Sequence, residues 1–208
     1  MPTLQRLAET LWVASVPHHF MGLHVGTRMT VVKLHTGGVL LYSPIPLDDA
    51  LRAAIHDIGP VTHIVCPNVF HHMYAGDAKA AYPAAVLHGP AALRRKRPDL
   101  PLEAVLGDTP HLDWKGDLEP LTVRGSLMHE TVFFHPASKT LITSDLVENF
   151  SKADHLPTRS SLAGKRWFWI RDASCRSCSR ARCSCSFRWS RQKRTRGLAA
   201  RRSASIGS

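Results

Sequence analysis

Apolar positions in the first third of the chain alternate or run together in the manner of strands. Leu11–Val16 alternates, and Met29–Leu34 (Met-Thr-Val-Val-Lys-Leu) is a β-branched run. Thr36-Gly37-Gly38 is a hairpin turn signal that returns the chain through Val39–Tyr42. Together these predict an antiparallel meander. Pro44 and Pro46 break it, and Leu47, Leu51, Ala54, Ile55 and Ile58 then fall at helical spacing. Asp48 and Asp49 suit the positive end of that helix, and Gly59-Pro60 stops it. The middle of the chain predicts a strand at His63–Cys66, a helix over Gly76–Ala81, a strand at Ala85–His88 and a helix at Pro90–Lys96. Asp108–Gly116 reads as a polar loop. Three short apolar runs follow at Leu121–Val123, Thr131–Phe134 and Thr140–Ile142, the last two joined by Pro136-Ala137-Ser138. Strands, then α/β units, then strands again predict a layered α/β sandwich rather than a doubly wound sheet.

After Phe150 the periodicity decays, and composition shows why. The chain has 208 residues, 44% hydrophobic and 21% charged, which is globular and long enough for one domain with a sizeable core. Its net charge of +11 is unevenly placed, because residues 151–208 hold 15 Lys/Arg against only Asp154 and Asp172. The rest is slightly acidic. The division predicts a domain over residues 1–165 and an unstructured, basic Arg/Ser/Cys-rich tail over 166–208. Such a tail suits nucleic acid through counterion release, with Phe187 and Trp189 placed to stack on bases. Cys175, Cys178, Cys183 and Cys185 do not have the spacing of a zinc module. The tail's bias is also that of a G+C-rich gene read out of frame, and a frameshifted or truncated product is the expectation for it. Cys66 lies in an apolar run and reads as a small buried hydrophobe. No apolar run approaches the roughly 18 residues of a membrane span, and the N-terminus lacks signal-peptide order. A reducing, cytoplasmic setting is expected.

The chemistry concentrates in Thr62–Asp77, where a buried strand ends at Pro67-Asn68 and His71-His72 follow before a helix. Metal-competent side chains at the carboxyl end of a strand stand where open α/β sheets place their sites. The residue-level alternatives are a loop with one imidazole capping and one exposed, a helix-capping Asp145 and a merely exposed His129.

The segments Gly26–Val32, Ser43–Leu47, Pro67–His72, Glu130–His135 and Thr143–Leu146 resemble the metallo-β-lactamase superfamily, and within it a group of uncharacterised bacterial and plant proteins. The resemblance implies a four-layer αββα sandwich of a mostly metal-dependent hydrolase family, here incomplete at its C-terminal end. The superfamily's hallmark is His-x-His-x-Asp-His after a strand. Aligned on its last histidine, Pro67 and Val69 stand at the first two histidine positions, His71 at the aspartate and His72 at the final histidine. Asp145 matches the aspartate of a later Gly-Asp, with Ser144 replacing the glycine, and His129 lies near the position of an intervening histidine. His155 comes too early to be the last ligand. The implied set is therefore His71, His72, His129 and Asp145, with Asn68 as a weak ligand or hydrogen-bond donor, holding one Zn²⁺ or Fe²⁺. Glu130 or Asp77 would orient water or act as general base. Arg28 is either an anion contact or a strand-edge charge. The functional expectation is a metal-dependent hydrolase of unknown small-molecule substrate with a reduced metal site. The alternatives are a non-catalytic ligand- or protein-binding domain, and nucleic-acid binding through the tail.

Overall fold

The computed structural model describes residues 2–20, 23–125 and 128–147. The chain starts with strands β1 (Gln5–Ala8) and β2 (Leu11–Val16), followed by a short ribbon of β3 (His19–Phe20) and β4 (Leu23–His24). Next come β5 (Thr27–Lys33), β6 (Val39–Tyr42), helix α1 (Asp49–His56), β7 (Val61–Val65), α2 (Ala75–Ala81) and β8 (Val86–Gly89). A single-turn α3 (Leu93–Lys96), β9 (Ala104–Val105) and a 3-10 turn at Leu112–Trp114 precede β10 (Glu119–Thr122), β11 (Thr131–His135) and β12 (Thr140–Ile142).

Seven strands form one sheet in the order β1-β2-β5-β6-β7-β8-β9. It is antiparallel as far as β6, where Val31 pairs with Leu41, and parallel beyond, where Leu41 pairs with Ile64 and Ile64 with Leu87. The change of direction follows from the connections. A Gly-containing turn suffices between β5 and β6, whereas the β6–β7 and β7–β8 crossovers carry α1 and α2. Strands β10, β11 and β12 make a second, antiparallel sheet, with Pro120 on its edge strand opposite Phe133.

Both faces of the large sheet are covered, which is why its central strands read as continuous apolar runs. Met29, Val31, Val39 and Leu41 pack with Leu51 and Ile55 of α1. Their alternates Val32, Leu40, Tyr42 and Val65 meet Phe133 and Ile142 of the second sheet. Ile64, Cys66 and Leu87 pack with Ala75 and Ala78 of α2. Tyr42 and Phe133 cross edge to face with ring centroids 5.6 Å apart. Leu51 and Ile55 are fully enclosed, each contributing about 1.5–3 kcal/mol to stability. The C-terminal end, where the sandwich is expected to be incomplete, lies outside the described residues, as does the tail.

Several local expectations need correction. The helix predicted over Leu47–Ile58 is shorter, Asp49–His56, and starts where Asp48 caps it by accepting from the Leu51 amide at 2.8 Å. The helix expected over Pro90–Lys96 is one turn, Leu93–Lys96. The supposed polar loop Asp108–Gly116 contains the 3-10 turn, anchored by Trp114 at 2% exposure. Among the described residues, no helix is long and apolar enough to cross a membrane.

Candidate functional site

The carboxyl ends of β6 and β7 and the turn after β12 meet in one polar cluster. Ser43 follows β6 with a left-handed φ of 56° and is 1% exposed. Its amide donates to the Val65 carbonyl at 2.8 Å, tying the ends of the two parallel strands together. The Ser43 hydroxyl Oγ lies 2.6 Å from His71 Nδ1, and His71 Nε2 lies 2.9 Å from Asp145 Oδ1. Asn68 is fully buried: its Oδ1 accepts from the amides of Phe70 and His71, and its Nδ2 donates to Asp145 Oδ2 at 2.8 Å and Ser144 Oγ at 3.1 Å. Asn68 therefore shapes the loop that carries His71 and also holds the carboxylate His71 faces. Glu130, 1% exposed, accepts from the Ser144 amide at 2.6 Å and the Asp145 amide at 2.8 Å. Below it, burial and then the Glu130 charge push the Tyr42 phenol well above its ordinary pKa, so it stays a neutral donor to the Thr131 carbonyl.

The cluster brings together four of the residues singled out from the sequence, Asn68, His71, Glu130 and Asp145. Of the others, His72, Asp77 and Arg28 lie elsewhere or face elsewhere. His72 is 8% exposed and its Nδ1 meets the Arg97 guanidinium at 3.0 Å. Burial, followed by the Lys96 and Arg97 charges, holds its pKa below the ordinary imidazole value. His129 takes a left-handed φ of 47° just before β11. Asp77 is exposed in the first turn of α2. Arg28 is exposed on β5 and donates across to Ser15 Oγ on β2 at 3.1 Å. At the two motif positions without histidine, the Pro67 carbonyl accepts from the Thr131 amide at 2.9 Å and the Val69 carbonyl from Lys96 at 2.6 Å. Ser43 was not among the candidates, although it lies in one of the segments that carried the resemblance.

A hydrolytic zinc site takes three protein ligands and a water. Here His71 Nε2 and Asp145 Oδ1 are two converging atoms, Asn68 presents a donor to the carboxylate, and His72 faces a cation. The strand-end residues as arranged do not fit the ion. Cys66, which precedes them in the chain, is fully buried and packs with Ile64, Leu87 and Ala75, and burial pushes its thiol pKa up to about 12.

A second cluster escaped the sequence reading. His63 on β7 and His88 on β8 are both 2% exposed, and His63 Nδ1 lies 3.0 Å from His88 Nε2. The 3-10 turn brings His111 and Asp113 over them. His63 Nε2 is 3.1 Å from Asp113 Oδ2, and His111 Nδ1 is 3.5 Å from the same oxygen. Burial, then the neighbouring imidazoles, lowers the His88 pKa to about 3; burial and then His111 lower that of His63. One signal was available in the sequence. His63 is two residues from Val65 and so shares its inward face, where an imidazole in place of a hydrophobe calls for a reason.

A family model described as a domain of unknown function, DUF4336, matches residues 8–92. No curated protein matches the chain. Among solved structures, DIM-1 metallo-β-lactamase exposed to ceftazidime is 16% identical with a TM-score of 0.54, the match covering 67% of this chain and 68% of that one. The metallo-β-lactamase from Pontibacter korlensis is 13% identical with a TM-score of 0.53, covering 68% of this chain and 70% of its own. The fold is metallo-β-lactamase-like. A third neighbour, the metallo-β-lactamase from Hirschia baltica, is 14% identical with a TM-score of 0.52 and covers 67% of this chain and 69% of its own. At such identities the likeness concerns the backbone and not the site. On this metallo-β-lactamase-like scaffold the described residues include one His/Asp group able to hold a metal ion, His63, His111 and Asp113.

Proposed function

We propose that this protein is a hydrolase of a small-molecule substrate, acting at the strand-end cluster through the His71–Asp145 pair. The observation that carries the reading is the 2.9 Å contact between His71 Nε2 and Asp145 Oδ1, with side chains 19% and 17% exposed, at the carboxyl edge of the parallel strands. Ionised Asp145 places the imidazole proton on Nε2, which leaves Nδ1 to accept from Ser43. His71 and Asn68 then donate one bond to each carboxylate oxygen and fix its plane. A carboxylate has about four acceptor sites, so Asp145 retains capacity to take a proton from a water attacking the substrate. His71 and Asn68 are positioning residues in this scheme. Glu130, with both oxygens on backbone amides, holds the turn that presents Asp145.

The test is a panel of chromogenic esters, thioesters, lactams and phosphodiesters, assayed with the full chain in the presence of added Zn²⁺ or Fe²⁺ and in the presence of chelator. Where a substrate is turned over, Asp145→Asn lowers kcat by about 10²–10⁴-fold, the range of one general base, and His71→Gln lowers it less. Turnover unaffected by Asp145→Asn refutes the assignment. Full activity in chelator refutes metal dependence, the property expected from the resemblance.

One observation favours a second reading. Glu130, Asn68 and His71 each have two or more polar atoms engaged by neighbours, so the rim is rigid and preformed. A ligand-binding domain without catalysis has that property. It would show saturable binding, lost in Asp145→Asn, and no turnover. The nucleic-acid reading concerns residues 166–208, outside the described ones; salt-sensitive binding that disappears on their removal would support it.

A further inference from the structure

Two strands, one turn and a bend of loop converge on the second histidine cluster, and its composition is costly without a purpose. In the large sheet, inward positions carry Val, Leu and Tyr toward the second sheet. At His63 and His88 the same face carries imidazoles at 2% exposure. Buried polar rings need partners, and here each finds them in other metal-competent groups. The atoms that His63, His111 and Asp113 offer to an ion all lie within 4.8 Å of one another. We infer that His63, His111 and Asp113 form a site for one divalent cation of the zinc or ferrous type, separate from the strand-end cluster, with His88 orienting His63 from behind.

The donor set carries the choice of ion. Two imidazoles and a carboxylate suit borderline cations, and three protein ligands leave a place for water. That place is open to solvent, since the His111 and Asp113 side chains are 40% and 49% exposed while His63 closes the inner side. His88 supplies the outer shell such sites require. With an ion bound, the proton of His63 would sit on Nδ1 and be donated to His88 Nε2 across 3.0 Å, leaving Nε2 free to ligate. Asp113, now 3.1 Å from His63 Nε2, would then turn its carboxylate to the cation. His111 Nδ1 now accepts from the Asp113 amide at 3.3 Å, a long contact that the ion replaces. Trp114, 2% exposed with ring centroids 5.0 Å from His63 and 5.1 Å from His111, fixes the turn against the sheet. An ion here would staple the turn between β9 and β10 to β7. This inference stands independently of the hydrolase reading, because none of its residues belongs to the strand-end cluster.

The experiment is metal analysis and Zn²⁺ and Co²⁺ titration of the full-length chain after exhaustive dialysis, alongside variants at three places. His111→Ala and Asp113→Asn remove partly exposed ligands, and far-UV circular dichroism confirms that both remain folded. His71→Ala and Asp145→Asn alter the strand end, and a fourfold Cys→Ser variant removes Cys175, Cys178, Cys183 and Cys185. The expected result is about one Zn²⁺ per chain, with affinity at least tenfold weaker in His111→Ala and in Asp113→Asn. The strand-end and cysteine variants should bind as the parent does. Retention of the ion in both His111→Ala and Asp113→Asn overturns the inference, whichever other set of variants then loses it. So does the absence of a stoichiometric ion in the parent chain. The hydrolase reading fails differently, by turnover that Asp145→Asn leaves intact.

Discussion

Replacing Glu130 with glutamine separates the turn-holding role that its hydrogen bonds give it from the general-base role implied by the resemblance. Glu130 is 1% exposed, and its oxygens accept from the Ser144 and Asp145 amides at 2.6 and 2.8 Å. Bonds to a charged acceptor are worth about 1.5–3 kcal/mol each, and a buried donor left unpaired costs about 1–3 kcal/mol. Glutamine keeps one acceptor and sets an amide N–H₂ against the other backbone N–H. One charge-assisted bond disappears, the other becomes neutral, and one donor is stranded. The expected destabilisation is therefore about 2–4 kcal/mol. Urea unfolding followed by circular dichroism at pH 7.5 measures it, as a lower midpoint with an unchanged m-value. If Glu130 were instead the general base, the outcome would invert: kcat would collapse while stability held. A Glu130→Gln variant within about 0.5 kcal/mol of the parent, inside the ordinary scatter of surface substitutions, refutes the positioning role.

Two further outcomes test the packing and the buried histidines. A Cβ at Gly38 would sit 2.4 Å from Thr62 Oγ1 and 2.8 Å from its Cγ2, so Gly38→Ala should destabilise by about 1–3 kcal/mol. In a Thr62→Ala background both atoms are gone and the cost should fall below about 1 kcal/mol; equal costs in the two backgrounds would show that the clash is not the cause. His135 is 1% exposed and lies between Thr10 Oγ1 and Ser138 Oγ; burial holds its pKa below the ordinary value. The unfolded chain binds a proton near pH 6.5 that the folded one resists. The contribution is thus complete above that value and is lost as pH falls through it toward the folded pKa. Denaturation from pH 7.5 down to 5 should show a shallower loss of stability in His135→Gln than in the parent, and parallel curves would refute the assignment.

Local chemistry made much of the scaffold legible. The β5–β6 hairpin follows from Met29–Leu34, the glycines at 37 and 38, and Val39–Tyr42. Helix α1 follows from its apolar spacing and the Asp48 cap. Each is set by interactions between residues close along the chain, which periodicity and turn chemistry report directly. The turn at Leu112–Trp114 was not legible, because its polar composition reads as loop and only the burial of Trp114 against the sheet makes it an element.

The site divides along the same line. The sequence by itself determined that metal-competent side chains stand at a strand end, and which residue types the loop there offers. Tertiary structure decided what each one meets. His71 and His72 are adjacent in the chain, yet one faces Ser43 and Asp145, and the other faces Arg97. His63 and His88 stand 25 positions apart and touch because β7 and β8 are neighbours with Val65 beside His88. His111 and Asp113 reach them only once Trp114 is buried. The reason is physical. A side chain's donors, charge and helical or strand preference are carried by the residue and its near neighbours. Its partners depend on sheet order and register, which are fixed by burying both faces of the large sheet at once.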